Sequence, residues 1–364
     1  MHYITQIFIF LCIIMHMYEN IIRDQKREIE QQFVREKIIQ REIIINPEQG
    51  LANLITGIRI CGKSALSHLL LKSSNYGYIN FDDEILQNLK KEEFRVLLSD
   101  IISVCGDIDS IILDEPQNIE GWELFVNRLL RRNLIVIITG SNSKLLSAEM
   151  GTHLTGRYIS YVLYPFGFKE FLKYKNEDLT GYSEEMSGKA KNLLLSYVKS
   201  GGFPEALKIS DSTRYLKDLF SSLLTKDIAR RQEIRKFNIL EKLANYLLSI
   251  PSSYVTYSSL AKTFEISTHS IISYLSYFEE AYLFFFLPIF SRKYKTQIRS
   301  PKKIYVADVG LVSQIGFRTE TNITRLIENL VFLELKRRSS STTEIYYWKS
   351  PEGYEVDFII KDGS

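Results

Sequence analysis

The chain has 364 residues, 45% of them hydrophobic and 24% charged, with 46 Lys and Arg against 43 Asp and Glu for a net charge of +3. Those fractions exclude a disordered or collagen-like chain, and the length admits two or three domains with substantial cores. A charge so near balance makes no electrostatic case for nucleic acid. Cys12, Cys61 and Cys105 lack the spacing of a zinc site or a disulfide framework and fit a reducing, cytoplasmic compartment.

Tyr3 to Tyr18 is apolar but interrupted by Thr5, Gln6 and His16. It is shorter than the ~20 residues of a spanning helix and lacks the basic start and cleavage site of a signal peptide. We expect no stable membrane insertion, with weak membrane association as the rival, and a native start at Met15 or Met17, so that residues 1–16 are not native. Glu19 to Glu42 are helix formers with Ile21, Ile22, Ile29, Phe33, Ile38 and Ile39 for apolar contacts, and Asn46-Pro47 ends that element.

Leu51 to Thr56 reads as a buried strand and Ala65 to Lys72 as a helix. Between them stands Gly57-Ile58-Arg59-Ile60-Cys61-Gly62-Lys63-Ser64, a complete phosphate-loop pattern. Small residues there let backbone N–H groups turn inward around phosphate oxygens, and the helix N-terminus adds partial positive charge. Gly57 through Ala65 are therefore the candidate nucleotide-binding residues, with Lys63 directed at the β- and γ-phosphates and the Ser64 hydroxyl at Mg2+. Arg59 is a further candidate phosphate contact. Cys61 is either a small filler or a thiol whose alkylation would block nucleotide binding.

Tyr78 to Phe81 forms the next strand and Glu84 to Cys105 is largely helical. Ser110-Ile111-Ile112-Leu113 then runs into Asp114-Glu115, placing two carboxylates at a strand's C-terminal end. Asp114 is the candidate Mg2+ holder, and Glu115 the candidate that polarises attacking water. A helix from Trp122 to Arg132 precedes the strand Leu134 to Ile138, which ends in Thr139-Gly140-Ser141-Asn142. Ser141 and Asn142 are candidates to position water, with an ordinary polar turn as the alternative. Arg157, before the strand Tyr158 to Leu163, is a candidate γ-phosphate contact in cis or from a neighbouring subunit, against a surface Arg at a turn. Strands alternating with helices predict an α/β fold with a mostly parallel sheet covered on both faces.

Polar Glu177 to Lys189 is expected to be a flexible connection. Beyond it come a helix from Lys191 to Lys199, the turn Gly201-Gly202-Phe203-Pro204, and helices through Ser249. Thr256 to Ala261 opens a short helix, Glu265-Ile266-Ser267 turns, and Thr268 to Ala281 is a second helix, together a helix-turn-helix of winged type. From Glu265 to Ser291 there is no Lys or Arg, which favours protein docking over DNA. Arg292, Lys293, Lys295, Arg299, Lys302 and Lys303 follow and either flank a duplex or form a solvated loop.

The chain resembles the archaeal and bacterial AAA+-like ATPases that carry a C-terminal domain of unknown function. The resemblance rests on the phosphate loop, Leu113-Asp114-Glu115 with Gln117 and Gly121-Trp122-Glu123, Thr139-Gly140-Ser141 and Leu154-Thr155-Gly156-Arg157. It continues through Pro165-Phe166, Phe168 to Phe171, Gly201 to Glu205, Lys303-Ile304-Tyr305, Asp308 to Leu311, Glu328-Asn329 and Glu355-Val356-Asp357-Phe358. It implies a P-loop NTPase core of AAA+/ASCE type that hydrolyses ATP with Mg2+, a winged helix, and a nuclease-like C-terminal region. Ile60 stands where family members often have a second Arg. Glu328 and Asp357 match two nuclease acids, but the following Glu-x-Lys is absent, so a truncated α+β domain without cleavage is expected. The expected organisation is an N-terminal segment over 1–50, an ATPase core over 51–176, a helical and winged-helix region over 190–290 and the C-terminal domain over 291–364. The expected partners are ATP, an unidentified protein, DNA as the alternative, and a second copy of the chain.

Overall fold

The structure, a computed structural model, describes residues 17–142, 154, 156–180, 183–316 and 323–363. The expectations for residues 1–16 lie outside these. Among the described residues no helix is long and apolar enough to cross a membrane. Chain contacts define two compact units, residues 1–57 with 62–163, and residues 58–61 with 164–364.

In the first unit, α1 (Glu19–Arg35) is followed by β1 (Ala52–Thr56), α2 (Lys63–Leu70), β2 (Tyr76–Asn80), α3 (Phe94–Cys105), β3 (Ser110–Asp114), α4 (Trp122–Arg131), β4 (Ile135–Gly140) and β5 (Tyr158–Val162). The strands form one parallel sheet in the order β2-β3-β4-β1-β5. β1 and β3 are buried along their whole length, which is why they read as continuous rather than alternating apolar runs. Leu54, Ile111, Leu113, Val136 and Ile138 join Phe94, Leu97, Ile101, Phe125 and Leu129 in one core, where Phe94 stacks on Phe125 at 4.7 Å.

α1 packs on α3 and β2, burying Ile21 and Ile22. It ends at Arg35, well before Asn46, because Glu36 is already extended and the β-branched run Ile43-Ile44-Ile45 favours extended backbone. Its Gln25 amide mimics a missing strand: Nε2 donates to the Asn80 carbonyl (3.1 Å), and Oε1 accepts from the Asn80 N–H (2.9 Å) on edge strand β2. The segment before α3 is mostly turns, with a short 3-10 stretch at Leu86–Asn88. There Glu93 accepts from the Lys90 N–H at 2.8 Å, a local bond that competes with helix.

The second unit contains α5 (Phe168–Lys175), α6 (Glu184–Ser200), α7 (Ser212–Ser222), a π-helix (Leu223–Ala229), α8 (Phe237–Ser249), β6 (Tyr254–Val255), α9 (Tyr257–Phe264), α10 (Thr268–Glu280), β7 (Phe284–Leu287), α11 (Tyr294–Arg299), β8 (Lys302–Val306), α12 (Val309–Ile315), α13 (Ile323–Arg338) and the antiparallel hairpin β9 (Glu344–Lys349) and β10 (Glu355–Lys361). α6 begins inside the stretch expected to be flexible, started by the Ser183 hydroxyl on the Met186 N–H at 3.1 Å. The sheet order is β6-β8-β7. The expected boundary between 290 and 291 therefore falls within a sheet whose central strand comes from the C-terminal side.

Two motifs far apart in sequence meet here. The Asp308 carboxylate accepts from the Gly202 N–H (2.6 Å) and the Gly310 N–H (2.8 Å). A Cβ on Gly202 would overlap the Phe166 carbonyl, and one on Gly201 the Asp308 carboxylate, so both positions need glycine. Asn329 of α13 brackets Val306 as Gln25 brackets Asn80, accepting from its N–H (2.7 Å) and donating to its carbonyl (2.9 Å).

Candidate nucleotide site

Parallel register brings the strand ends to one edge. Thr56 lies opposite Gly140, and Asp114 opposite Thr139, so β1, β3 and β4 release their chains side by side. From β1 the chain enters the loop with Gly57 at φ 146°, Ile60 at φ 63° and Gly62 at φ 98°. Glycine tolerates these angles, whereas Ile60 adopts a backbone region unusual for a β-branched residue. Gly62 caps α2, whose first residue is Lys63.

Lys63 is buried, and its ammonium donates to the Gly57 carbonyl at 3.1 Å. The Ser64 hydroxyl donates to Asp114 Oδ2 at 2.6 Å. The Thr139 hydroxyl donates to Asp114 Oδ1, and the Tyr78 hydroxyl to Oδ2 at 3.3 Å. Burial and the neighbouring Glu115 push the Asp114 carboxyl above its ordinary value, while the bonds from Ser64 and Thr139 and the charge of Lys63 oppose this. Glu115 follows β3 in a left-handed conformation (φ 52°). Its Oε2 accepts from the Ser141 N–H (3.2 Å), the Ser141 hydroxyl (3.3 Å) and the Gln117 amide.

Lys63, Ser64, Asp114, Glu115 and Ser141 are thus brought to the strands' carboxyl edge, and Asn142 follows, buried beside Ser141. Ala65 lies in the first turn of α2. Cys61 is 0% exposed, so the reagent-sensitive thiol of the sequence reading is sealed off. Arg157 is not brought to the loop. Its carbonyl accepts from the Ala52 N–H at the start of β1, and β5 begins one residue later. That is the amino edge of the sheet, roughly 15 Å of strand from the phosphate loop and beyond the reach of its side chain. A γ-phosphate contact from Arg157 within one chain is corrected accordingly.

Thr139, Tyr78 and Gln117 were named in sequence runs but given no role at the site. Thr139 stood in the quoted Thr-Gly-Ser run, where its opposition to Asp114 was the missing signal.

The C-terminal acids also converge, but on a lysine. Lys303 is buried with Nζ 3.0 Å from Glu328, 2.6 Å from Glu355 and 2.7 Å from Asp357, and the Tyr305 hydroxyl donates to Glu328 at 2.8 Å. Its three carboxylate partners hold the Lys303 ammonium above its ordinary value against the opposing effect of burial. Lys303 therefore leaves the basic stretch read as duplex-flanking or solvated.

A strand–loop–helix phosphate cradle beside a strand ending in acids, in a parallel sheet covered by helices, defines a P-loop NTPase fold. A family model described as an AAA domain matches residues 49–172, and one described as a domain of unknown function, DUF8612, matches residues 191–322. The chain is 34% identical over 336 residues to the uncharacterized protein MJ1544 of Methanocaldococcus jannaschii, covering 89% of this chain and 75% of that one. It is 30% identical over 344 residues to an uncharacterized protein of Haemophilus influenzae, covering 90% and 83%. Among solved structures it aligns with the Signal Transduction ATPase with Numerous Domains protein with a tetratricopeptide repeat sensor from Pyrococcus horikoshii. That alignment has 15% identity and a TM-score of 0.29, over 83% of this chain and 47% of that one. The chain belongs to the family of MJ1544 and the Haemophilus protein, and the AAA-domain match lies within its first half.

Proposed function

We propose that the protein is a Mg-dependent ATPase acting as a molecular switch coupled to a winged-helix module. The observation that carries this is the convergence of Lys63, Ser64, Asp114 and Glu115 at one edge of the sheet. Backbone N–H groups of the loop and the Lys63 ammonium hold the phosphates, exchanging the Gly57 carbonyl for phosphate oxygens. Ser64 and Asp114 supply hard oxygen donors 2.6 Å apart, a set that fits Mg2+. Among the described residues no cluster of three His, Cys, Asp or Glu could cage a metal. Mg2+ bound with a nucleotide usually completes its shell with phosphate and water. When bound, Mg2+ neutralises charge on the phosphate oxygens.

Glu115, clamped by Ser141 and Gln117, accepts a hydrogen bond from the attacking water and aligns it with the γ-phosphorus. Asn142 is proposed to help hold that water. The nucleotide base is read as adenine from the AAA relationship. We read α9 and α10 with the β6-β8-β7 sheet as the winged helix, and favour protein docking for it because residues 265–291 carry no Lys or Arg.

The test is a pair of variants. Lys63→Ala should lose nucleotide binding or lower turnover by at least ~100-fold, while Glu115→Gln should keep binding and lose hydrolysis by a similar factor. Phosphate release and equilibrium titration read the two effects. Parental hydrolysis by both variants would refute these roles.

A further inference from the structure

The apex of the phosphate loop, Ile58–Cys61, clusters with the second compact unit, and within that unit Arg59 is held by an acid. Arg59 Nη1 lies 3.2 Å from Asp227 Oδ1, and Arg231 Nη2 lies 3.6 Å from the same oxygen. The Asp227 side chain is 2% exposed and that of Arg59 31%. Asp227 sits in the π-helix Leu223–Ala229, marked by the i→i+5 bond from the Arg230 N–H to the Thr225 carbonyl at 2.9 Å. Such turns are rare and gather at functional positions.

Two features make the Arg59 contact exchangeable. The severe cost of breaking a buried ion pair is the stranded charge. Here Arg231, four residues further on in the turn just past the π-helix, stays beside Asp227 when Arg59 leaves. Arg59 is also partly exposed, and its planar fork binds phosphate oxygens as well as it binds a carboxylate. Lys63, resting on the Gly57 carbonyl, shows the same arrangement of a loop cation held by an internal acceptor.

We propose that Asp227 is a nucleotide-sensing residue: it competes with the terminal phosphates for Arg59, so nucleotide binding moves the guanidinium off Asp227 and loosens the π-helix. This rests on the phosphate-loop reading above. The experiment measures binding of a non-hydrolysable Mg-ATP analogue to the parent, Asp227→Asn, Arg59→Ala and the double variant. Asp227→Asn should tighten binding about fivefold or more, and Arg59→Ala should weaken it. The double variant should bind like Arg59→Ala alone, because the competition then has nothing to act on.

Hydrogen exchange on the parent gives a second readout that does not depend on whether Asp227→Asn folds. Amides of residues 223–231 should exchange faster with the analogue bound. Unchanged or weaker binding by Asp227→Asn, a gain that survives Arg59→Ala, or exchange that is unchanged or slower overturns the proposal. A folded parent that takes up no analogue at all overturns the phosphate-loop reading instead, before any variant is compared.

Discussion

Asp308 shows how one buried acid ties two distant motifs and makes the fold sensitive to pH. Burial pushes its carboxyl up to about 6, against the opposing bonds from the Gly202, Gly310 and Leu311 N–H groups and the charge of Arg337. The unfolded value is about 3.9. Between roughly pH 4 and 6 the native state therefore binds the proton more tightly than the unfolded chain does. The resulting stability is full below about pH 4 and is lost as pH rises through about 6, on the order of 2–3 kcal/mol. Denaturant titrations of the parent and Asp308→Asn at pH 4 and pH 7 check this. The parent should lose that increment between the two pH values, and the variant should not. At this scale the sequence exposes groups that carry chemistry at fixed short spacing, as in the phosphate loop and Asp114-Glu115. Partners that meet only in space stay hidden: Arg59 and Asp227 are 168 residues apart, and no periodicity announces a π-turn.

Elements were legible wherever one force dominated. Continuous apolar runs marked β1, β3 and β4, since strands covered on both faces have no solvent side to alternate with. Boundaries failed where local polar bonds decide, as at Lys90 with Glu93 and at Ser183, whose cap starts α6 within a stretch that looked like a linker. For Arg157, strand polarity removes only the contact within one chain. A residue preceding a parallel strand lies at the amino edge, whereas ligands gather at the carboxyl edge. The same local bonding supports the helix pair α9 and α10. Their caps are Thr256 on the Ser259 N–H and Ser267 on the Ser270 N–H, at 3.1 and 3.0 Å. Ser267→Ala should cost about 1 kcal/mol, read as a lower denaturant midpoint with an unchanged slope.

For the molecule as a whole, charge makes no case for nucleic acid as the main partner. The net charge is +3, and Lys303 is spent on three carboxylates. Binding built on phosphate neutralisation needs many uncommitted cations and weakens steeply with salt. A gel-shift titration with duplex DNA should show no retardation even at low salt. A salt-steep shift would favour DNA over the proposed protein docking for the winged-helix module.

The side-chain amides of Gln25 and Asn329 carry a further consequence. Gln25 occupies backbone groups of Asn80 on edge strand β2 that an intruding peptide would need to extend that sheet, and Asn329 satisfies Val306 of the central strand β8 past the end of β6. The five-stranded sheet cannot add a strand at Asn80 without first evicting a helix-borne carboxamide. An open sheet rim is thus closed by a single residue that looks on paper like an ordinary polar position on a helix.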